Sequence, residues 1–272
     1  MMPETLTSVS NPKIKMLLAL QQKSSARRES GLFVVEGRRE LAHCAAAGFE
    51  IDTVFVCPAL LCGDTGRGIL PSGSKAKVFE VSEQVYRKIA MRESTEGVIA
   101  EVRARERRLE DLVLPPDPLV VVLERVEKPG NLGAVLRSAD AAGADAVLVC
   151  DPLTDLWNPN LIRASVGAVF TVPCAACSSQ EAIGFLKARG IRILTAQLQD
   201  SSLYYDYDMT GGTALVMGTE SVGLTERWRE AADAHIRIPM LGALDSLNVS
   251  VSAAILLFEA VRQKQTQRHR NG

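Results

Sequence analysis

The 272-residue sequence predicts an α/β protein of two domains, a small leading α/β domain followed by a larger one with a parallel sheet flanked by helices. Three observations predict it. Short apolar runs alternate with helix-length amphipathic segments along most of the chain, the pattern of sheets covered by helices. The length suits about two domains at roughly 100–200 residues each. One segment, "RARERRLEDLVLPPDP" (103–118), breaks the alternation with a charge run and then three prolines in four positions, which suit neither a helix nor a central strand. The expected division is a leading domain over 1–108, a linker over 109–117 and a second domain over 118–272.

The elements follow in order. "NPKIKMLLALQQ" (11–22) has helical periodicity. "GLFVVEG" (31–37) reads as a strand and "RRELAHCAAAG" (38–48) as a helix closed by glycine. "IDTVFVC" (51–57) and "AKVFEVS" (76–82) read as strands, "EQVYRKIAM" (83–91) as a helix and "EGVIAEV" (96–102) as the last strand of this domain. Beyond the prolines, strands over 119–124, 146–150, 191–196, 213–218 and 235–238 alternate with helices over 131–142, 159–166, 179–189, 224–232 and 247–263. Strands so separated predict a parallel sheet with helices on both faces.

Apolar residues make up 47 % and charged residues 23 %, ordinary for a soluble globular protein. The longest uncharged apolar run, "AAILLF" (253–258), is far shorter than the ~20 residues of a membrane span. The N-terminus lacks a basic-then-apolar signal, so a cytoplasmic location is expected. The net charge of −1 does not announce a nucleic-acid binder. Residues 1–110, however, hold 17 Lys+Arg against 14 Asp+Glu, which is compatible with RNA contact there. Six cysteines include one Cys-x-x-Cys, Cys174 to Cys177. We read them as reduced, mostly buried thiols and expect no metal; a four-ligand set with Cys57 and Cys62 is the alternative.

Ligands on parallel sheets bind beyond the C-terminal strand ends, which directs attention to 125–133, 217–224 and 238–248. In "ERVEKPGNLGAVLRSADAAGAD" (124–145), Leu132, Val135, Leu136, Ala139 and Ala142 form one apolar stripe. Arg137 lies nearly opposite, beside Gly133, Ala134 and Ala141. It reads either as a solvated surface charge or as a cation aimed at an anion near the helix start. The strand, glycine turn, helix and later Asp151 mimic a dinucleotide site, but Gly130 and Gly133 give only G-x-x-G. In "LVMGTESVGLTERW" (215–228), Gly218 and Gly223 flank Glu220. Such glycines either admit a ligand close to the main chain or form an ordinary turn with Glu220 near a helix start. In "RIPMLGALDSLNVSVSAAILLFEAVRQ" (237–263), the apolar stretch predicts a buried helix. Its start carries Asp245, Ser246, Asn248, Ser250 and Ser252. Asp or Ser there serves as a cap, whereas Asn248 and Ser252 share one face and need polar partners if buried.

In this order and spacing the three loops resemble the SpoU (TrmH) branch of the SPOUT methyltransferases. The family's Asn-x-Gly followed by a helical Arg corresponds to Asn131, Gly133 and Arg137. Its Gly-x-Glu-x-x-Gly corresponds to Gly218, Glu220 and Gly223, and its Ser-Leu-Asn-Val-Ser is "SLNVS" at 246–250. The resemblance covers about 117–263. The leading domain, through "FVVEGRREL" (33–41) and "STEGVIAEV" (94–102), is similar to the substrate-binding domain often found in the family. One departure is Lys128-Pro129, where the family commonly has Asp-Pro or Asn-Pro.

The resemblance implies a C-terminal SPOUT-type α/β knot with a deep trefoil knot, a homodimer with cofactor sites near its interface, and S-adenosyl-L-methionine as cofactor. It implies methyl transfer to a ribose 2′-hydroxyl in structured RNA, with 23S rRNA the first expectation. A tRNA methyltransferase, or a non-catalytic RNA-binding protein of the same fold, is the alternative. Asn131, Arg137, Glu220, Ser246 and Asn248 are the implied catalytic residues. Met217, Gly218, Gly223, Ile238 and Leu247 are the implied cofactor contacts. For RNA capture we expect Lys13, Lys15, Arg27, Arg28, Arg38 and Arg39 of the leading domain to meet phosphate.

Overall fold

The computed structural model describes residues 4–61, 70, 73–93, 96–219 and 222–271, with side chains described as far as residue 269. Two compact units emerge. One holds the chain up to Arg105 together with Asp155–Thr171, the other Glu106–Thr154 and Val172 onward.

In the first unit, β1 (Glu4–Leu6), β2 (Leu32–Glu36), β3 (Ile51–Val56), β4 (Lys77–Val81) and β5 (Val98–Arg103) form a sheet in the order β1-β4-β3-β5-β2. β1, β4 and β3 are parallel, and β5 runs antiparallel to β3 and β2. Helices α1 (Pro12–Gln22), α2 (Ser24–Ser30), α3 (Arg38–Ala46) and α4 (Glu83–Ile89) lie between these strands in the chain. α1 begins where the Asn11 side chain accepts the Lys13 N–H and Pro12 supplies a preset φ. Its buried face is Ile14, Leu17 and Leu20, at helical spacing.

The second unit contains β6 (Leu119–Glu124), β7 (Ala146–Cys150), β8 (Cys174–Cys177), β9 (Arg192–Ala196), β10 (Ser202–Leu203), β11 (Thr213–Met217) and β12 (Ala234–Arg237). Their order is β10-β12-β9-β11-β6-β7-β8, and every pair is parallel. β6, β7 and β11 are buried at every position, which is why they read as continuous Val/Leu/Ala runs rather than alternating ones. α5 (Pro129–Ala142) starts on proline and ends at Gly143 in a left-handed conformation, φ 64°. α8 (Ser179–Ala188) opens with a capping box between Ser178 and Glu181. α9 (Glu226–Ala231) follows β11, and α10 (Val249–Asn271) packs along α5.

Three placements differ from expectation. Residues 109–117, expected as a linker, pack onto the second unit, with Leu112 buried in its core and Leu109 and Leu114 against it. Residues 155–171, expected in the second domain, belong to the first unit as α6 (Pro159–Ser165) and α7 (Ala168–Thr171). There the Trp157 ring stacks on Phe33 with centroids 4.6 Å apart and meets Phe49 edge-on. Arg27, expected to meet RNA phosphate, is engaged within the first unit. It is 5 % exposed, grips Asp155 through Nη2 at 2.6 Å and Nε at 3.0 Å, and donates from Nη1 to the Leu20 carbonyl at 2.6 Å.

Cys174 and Cys177 are the two ends of β8. Burial pushes the Cys174 thiol up to about 12. Cys62 lies outside the described residues. Among the described residues no cluster of His, Cys, Asp and Glu suits a metal ion, and no helix is long and apolar enough to cross a membrane.

Glu101 on β5 gives the first unit a pH dependence. It is 7 % exposed, and its Oε1 has no hydrogen-bond partner among the described residues. Burial, then the nearby Asp52, raises its pKa from 4.5 to about 7, with Lys77 opposing. The folded chain therefore keeps a proton that the unfolded chain releases, and stability falls as pH rises from 4.5 to about 7. Glu101→Gln should raise stability in urea unfolding at pH 8 by about 3 kcal/mol, at 1.36 kcal/mol per pKa unit. The gain should vanish at pH 4.

Candidate active site

Because every strand of the larger sheet runs the same way, the turns after β6, β9, β11 and β12 all leave from one edge. A cavity of about 440 Å³ opens there between the ends of β9, β11 and β12.

The second loop builds one wall. Met217, the last residue of the buried β11, lines the cavity, followed by Gly218 and Gly223. A Cβ added at Gly218 would run into the Gly223 carbonyl and lie 2.6 Å from the Leu224 nitrogen. The loop's own closure demands this glycine. Gly223 has open space around it and is required for its left-handed φ of 70°. Its N–H donates to the Thr219 carbonyl at 3.0 Å, and the Val222 N–H to Thr219 Oγ1 at 3.2 Å. Glu220 lies outside the described residues.

The third loop brings Ile238, Ser246 and Leu247 to the same cavity. Asn248 differs from expectation: it is exposed and precedes α10 rather than sitting inside a buried helix. It caps the helix. Its Oδ1 accepts the Ser250 N–H at 3.0 Å and the Ser250 hydroxyl at 2.6 Å. With Oδ1 so occupied, Nδ2 donates to Asn131 Oδ1 at 3.2 Å. This bond joins the first loop to the third. Ser252, one turn on, lines the cavity.

On α5 the predicted stripe is buried at Leu132, Val135, Leu136 and Ala139, with Ala142 half-buried. Asn131 stands in the first turn. Arg137, six residues on and about 9 Å further along the axis, is exposed and does not line the cavity. Among the described residues it makes no hydrogen bond or ion pair. In the leading unit, Lys13 stands 3.5 Å from Glu4 and over the Phe79 ring, and Arg39 is 3.7 Å from Glu40. Lys15 and Arg28 are exposed, and Arg38 is half-buried.

Sequence reasoning missed part of the cavity. Gln197 and Gln199 after β9, Arg229 of α9 and Arg237 of β12 also line it. Their role depends on β9 lying between β11 and β12, and periodicity finds strands without giving their order.

Comparison with known proteins agrees with this geometry. Residues 118–258 match the family model of the SpoU rRNA Methylase family, and residues 11–100 that of the MRM3-like substrate binding domain. The 23S rRNA (guanosine-2'-O-)-methyltransferase RlmB of Shewanella oneidensis is 36 % identical over 219 residues, spanning 76 % of this chain and 89 % of its own length. A crystal structure of an RNA 2'-O ribose methyltransferase is 40 % identical, with a TM-score of 0.83 over 96 % of this chain and 99 % of its own. An AdoMet-bound rRNA methyltransferase from Sinorhizobium meliloti is 31 % identical, with a TM-score of 0.87 over 95 % and 97 %. With segments of all three motifs meeting at one edge of the sheet and residues 118–258 matched by the family model, the chain belongs to the SpoU rRNA methylase family.

Proposed function

We propose that the chain is an S-adenosylmethionine-dependent enzyme that methylates a ribose 2′-hydroxyl of 23S rRNA, and that it works in the cytoplasm as a homodimer. The observation that carries this reading is the Asn131–Asn248 hydrogen bond next to a cavity walled by Gly218 and Gly223. It unites all three motif segments at one place. The relative from Shewanella oneidensis is named for 23S rRNA, and the leading residues match a substrate-binding domain. Both support ribosomal over transfer RNA.

The lining suits the methyl donor. Met217, Ile238 and Leu247 offer apolar surface and main-chain groups to an adenosine, while Asp245, Arg229 and Arg237 supply charges of both signs for an amino-acid end. Bound there, S-adenosylmethionine supplies a methyl group on a sulfonium, already activated for in-line displacement. The protein's work is then chiefly to hold the ribose oxygen in line and close. Asn131 and Asn248 fix each other's amides at the cavity's edge, and Ser246 borders the same space. Glu220 stays in the set on the strength of the family motif.

Arg137 supplies a guanidinium, a planar fork of donors carrying a fixed positive charge. Its task is to grip the phosphate beside the target ribose and to stabilise the developing alkoxide. The hydroxyl proton passes to that phosphate or to water. Lys13, Lys15, Arg28, Arg38 and Arg39 capture RNA by phosphate contact, giving affinity that falls with salt.

Two features support the dimer. Arg137 does not line the cavity of its own chain. Val251 and Phe258, seven residues apart on one face of α10, are about half exposed, and Leu241 is 97 % exposed. We assign these side chains to one apolar patch, the kind of surface that marks an interaction site when it is contiguous. The knotted C-terminus is part of this reading, supported by β11 lying between β6 and β9 and by α10 packing on α5.

Mapping ribose methylation in 23S rRNA with and without the protein should reveal one added 2′-O-methyl nucleotide, and an unchanged map would refute the assignment. In the same assay Arg137→Ala should lower turnover by about 100-fold or more while S-adenosylmethionine affinity stays within about twofold. Near-normal turnover would remove Arg137 from the mechanism. Phe258→Glu should convert a dimer into a monomer in size-exclusion chromatography with light scattering. A dimer that survives it uses another face.

A further inference from the structure

Glu124 ends β6. It is 1 % exposed, and it belongs to none of the three motifs. Both of its oxygens are engaged by one residue. Thr225 donates its main-chain N–H to Oε2 at 2.8 Å and its hydroxyl to Oε1 at 2.6 Å. Thr225 is the N-cap residue of α9. A threonine there ordinarily turns its oxygen back onto the helix's own first N–H groups. Here no such cap bond forms, and the hydroxyl goes to Glu124 instead.

Thr225 directly follows Leu224, which lines the cavity with Gly223 and closes against Gly218. Glu124 therefore pins the C-terminal foot of the cavity wall to the sheet. The chain leaving Glu124 carries Asn131 seven residues later. Its departure is also fixed: Arg125 takes a left-handed φ of 53°, rare outside glycine, and its N–H donates to the Cys150 carbonyl at 2.9 Å. Ser179 stands further from Glu124, at 3.4 Å. It gives its closer bond to Asp151 at 2.6 Å and accepts from Trp228 Nε1 at 3.0 Å.

We propose that Glu124 is a positioning residue for the methyl-donor site. Its paired bonds to Thr225 hold the Gly223–Leu224 wall in its binding shape and tie that wall to the segment bearing Asn131. This rests on reading the 440 Å³ cavity as the S-adenosylmethionine site.

Calorimetric titration of S-adenosylmethionine into the full chain tests it. Thr225→Val keeps the volume and the N–H but removes the hydroxyl. Glu124→Gln keeps the shape but removes one acceptor. Each should raise Kd about tenfold, about 1.4 kcal/mol, at unchanged stoichiometry. Thr225→Ser should restore Kd to within about twofold, and the double variant should add no further loss, as expected of residues acting on each other. A merely structural role would instead lower the stoichiometry at constant Kd. That result, a Thr225→Val Kd within twofold of the wild type, failure of Thr225→Ser to restore it, or additive losses would each overturn the proposal. Absence of binding by the wild-type chain would overturn the cavity assignment itself.

Discussion

The insertion of β11 between β6 and β9 is the constraint on which the site depends. β11 pairs in parallel with both, placing Met217 beside Leu123 and Val216 beside Thr195. The residues that follow Met217 therefore leave the sheet next to Glu124, and the segments after β6 and β11 start as neighbours. The register has little freedom. A slip of one residue would exchange the faces of a strand whose every side chain is packed. Loop closure at Gly218 and the bonds between Glu124 and Thr225 both presuppose this pairing.

The leading unit follows a different logic. Its core is completed by a segment more than fifty residues beyond its last strand. The Arg27–Asp155 pair is nearly desolvated on the arginine side, with partner exposures of 5 % and 23 %. A buried pair of this kind adds little net stability, but removal of one partner costs about 3–5 kcal/mol because the other charge is stranded. Trp157, packed among Phe33, Phe49 and Phe170, adds aromatic contacts worth about 0.5–1.5 kcal/mol each beyond their area. The two units divide within the charged and proline-rich stretch, between Arg105 and Glu106, and from there Leu109, Leu112 and Leu114 already pack onto the second unit. Composition marks the stretch that holds the boundary; packing decides which residues of it join which unit.

Legibility in the sequence follows from where the determinants lie. Long apolar strands such as Leu119–Glu124 and helices with their own caps, such as Ser178 before α8, are local and were readable. α2, "SSARRES", has no apolar stripe; its one buried side chain, Arg27, is held by a residue 128 positions away. β8, "CAAC", lacks β-branched residues and forms because β7 offers an edge in register. At the site, Met217, Gly218, Gly223, Ile238, Ser246 and Leu247 were found through family motifs and do share one cavity. The reason for Gly218 was not readable: its missing side chain makes room for the protein's own backbone. Gln197, Arg229, Arg237 and Glu124 were missed because each reaches its place through a strand pairing that the chain order does not disclose.

Arg137 returns the problem to electrostatics. The buried stripe of α5 accounts for its apolar residues, and the exposed arginine beside Ala134 and Ala141 is left over. Fully solvated, a guanidinium 4 Å from a phosphate gains only about 1 kcal/mol; at an effective dielectric of 20 the same contact is worth about 4 kcal/mol. Small neighbours let a second surface approach closely and displace water from around the charge. In the proposed dimer, the half-exposed apolar face of α10, which packs along α5, brings such a surface near. On this reading the second copy lowers the local dielectric around Arg137, so that a cation too weak in water becomes an effective clamp on the phosphate beside the reacting ribose.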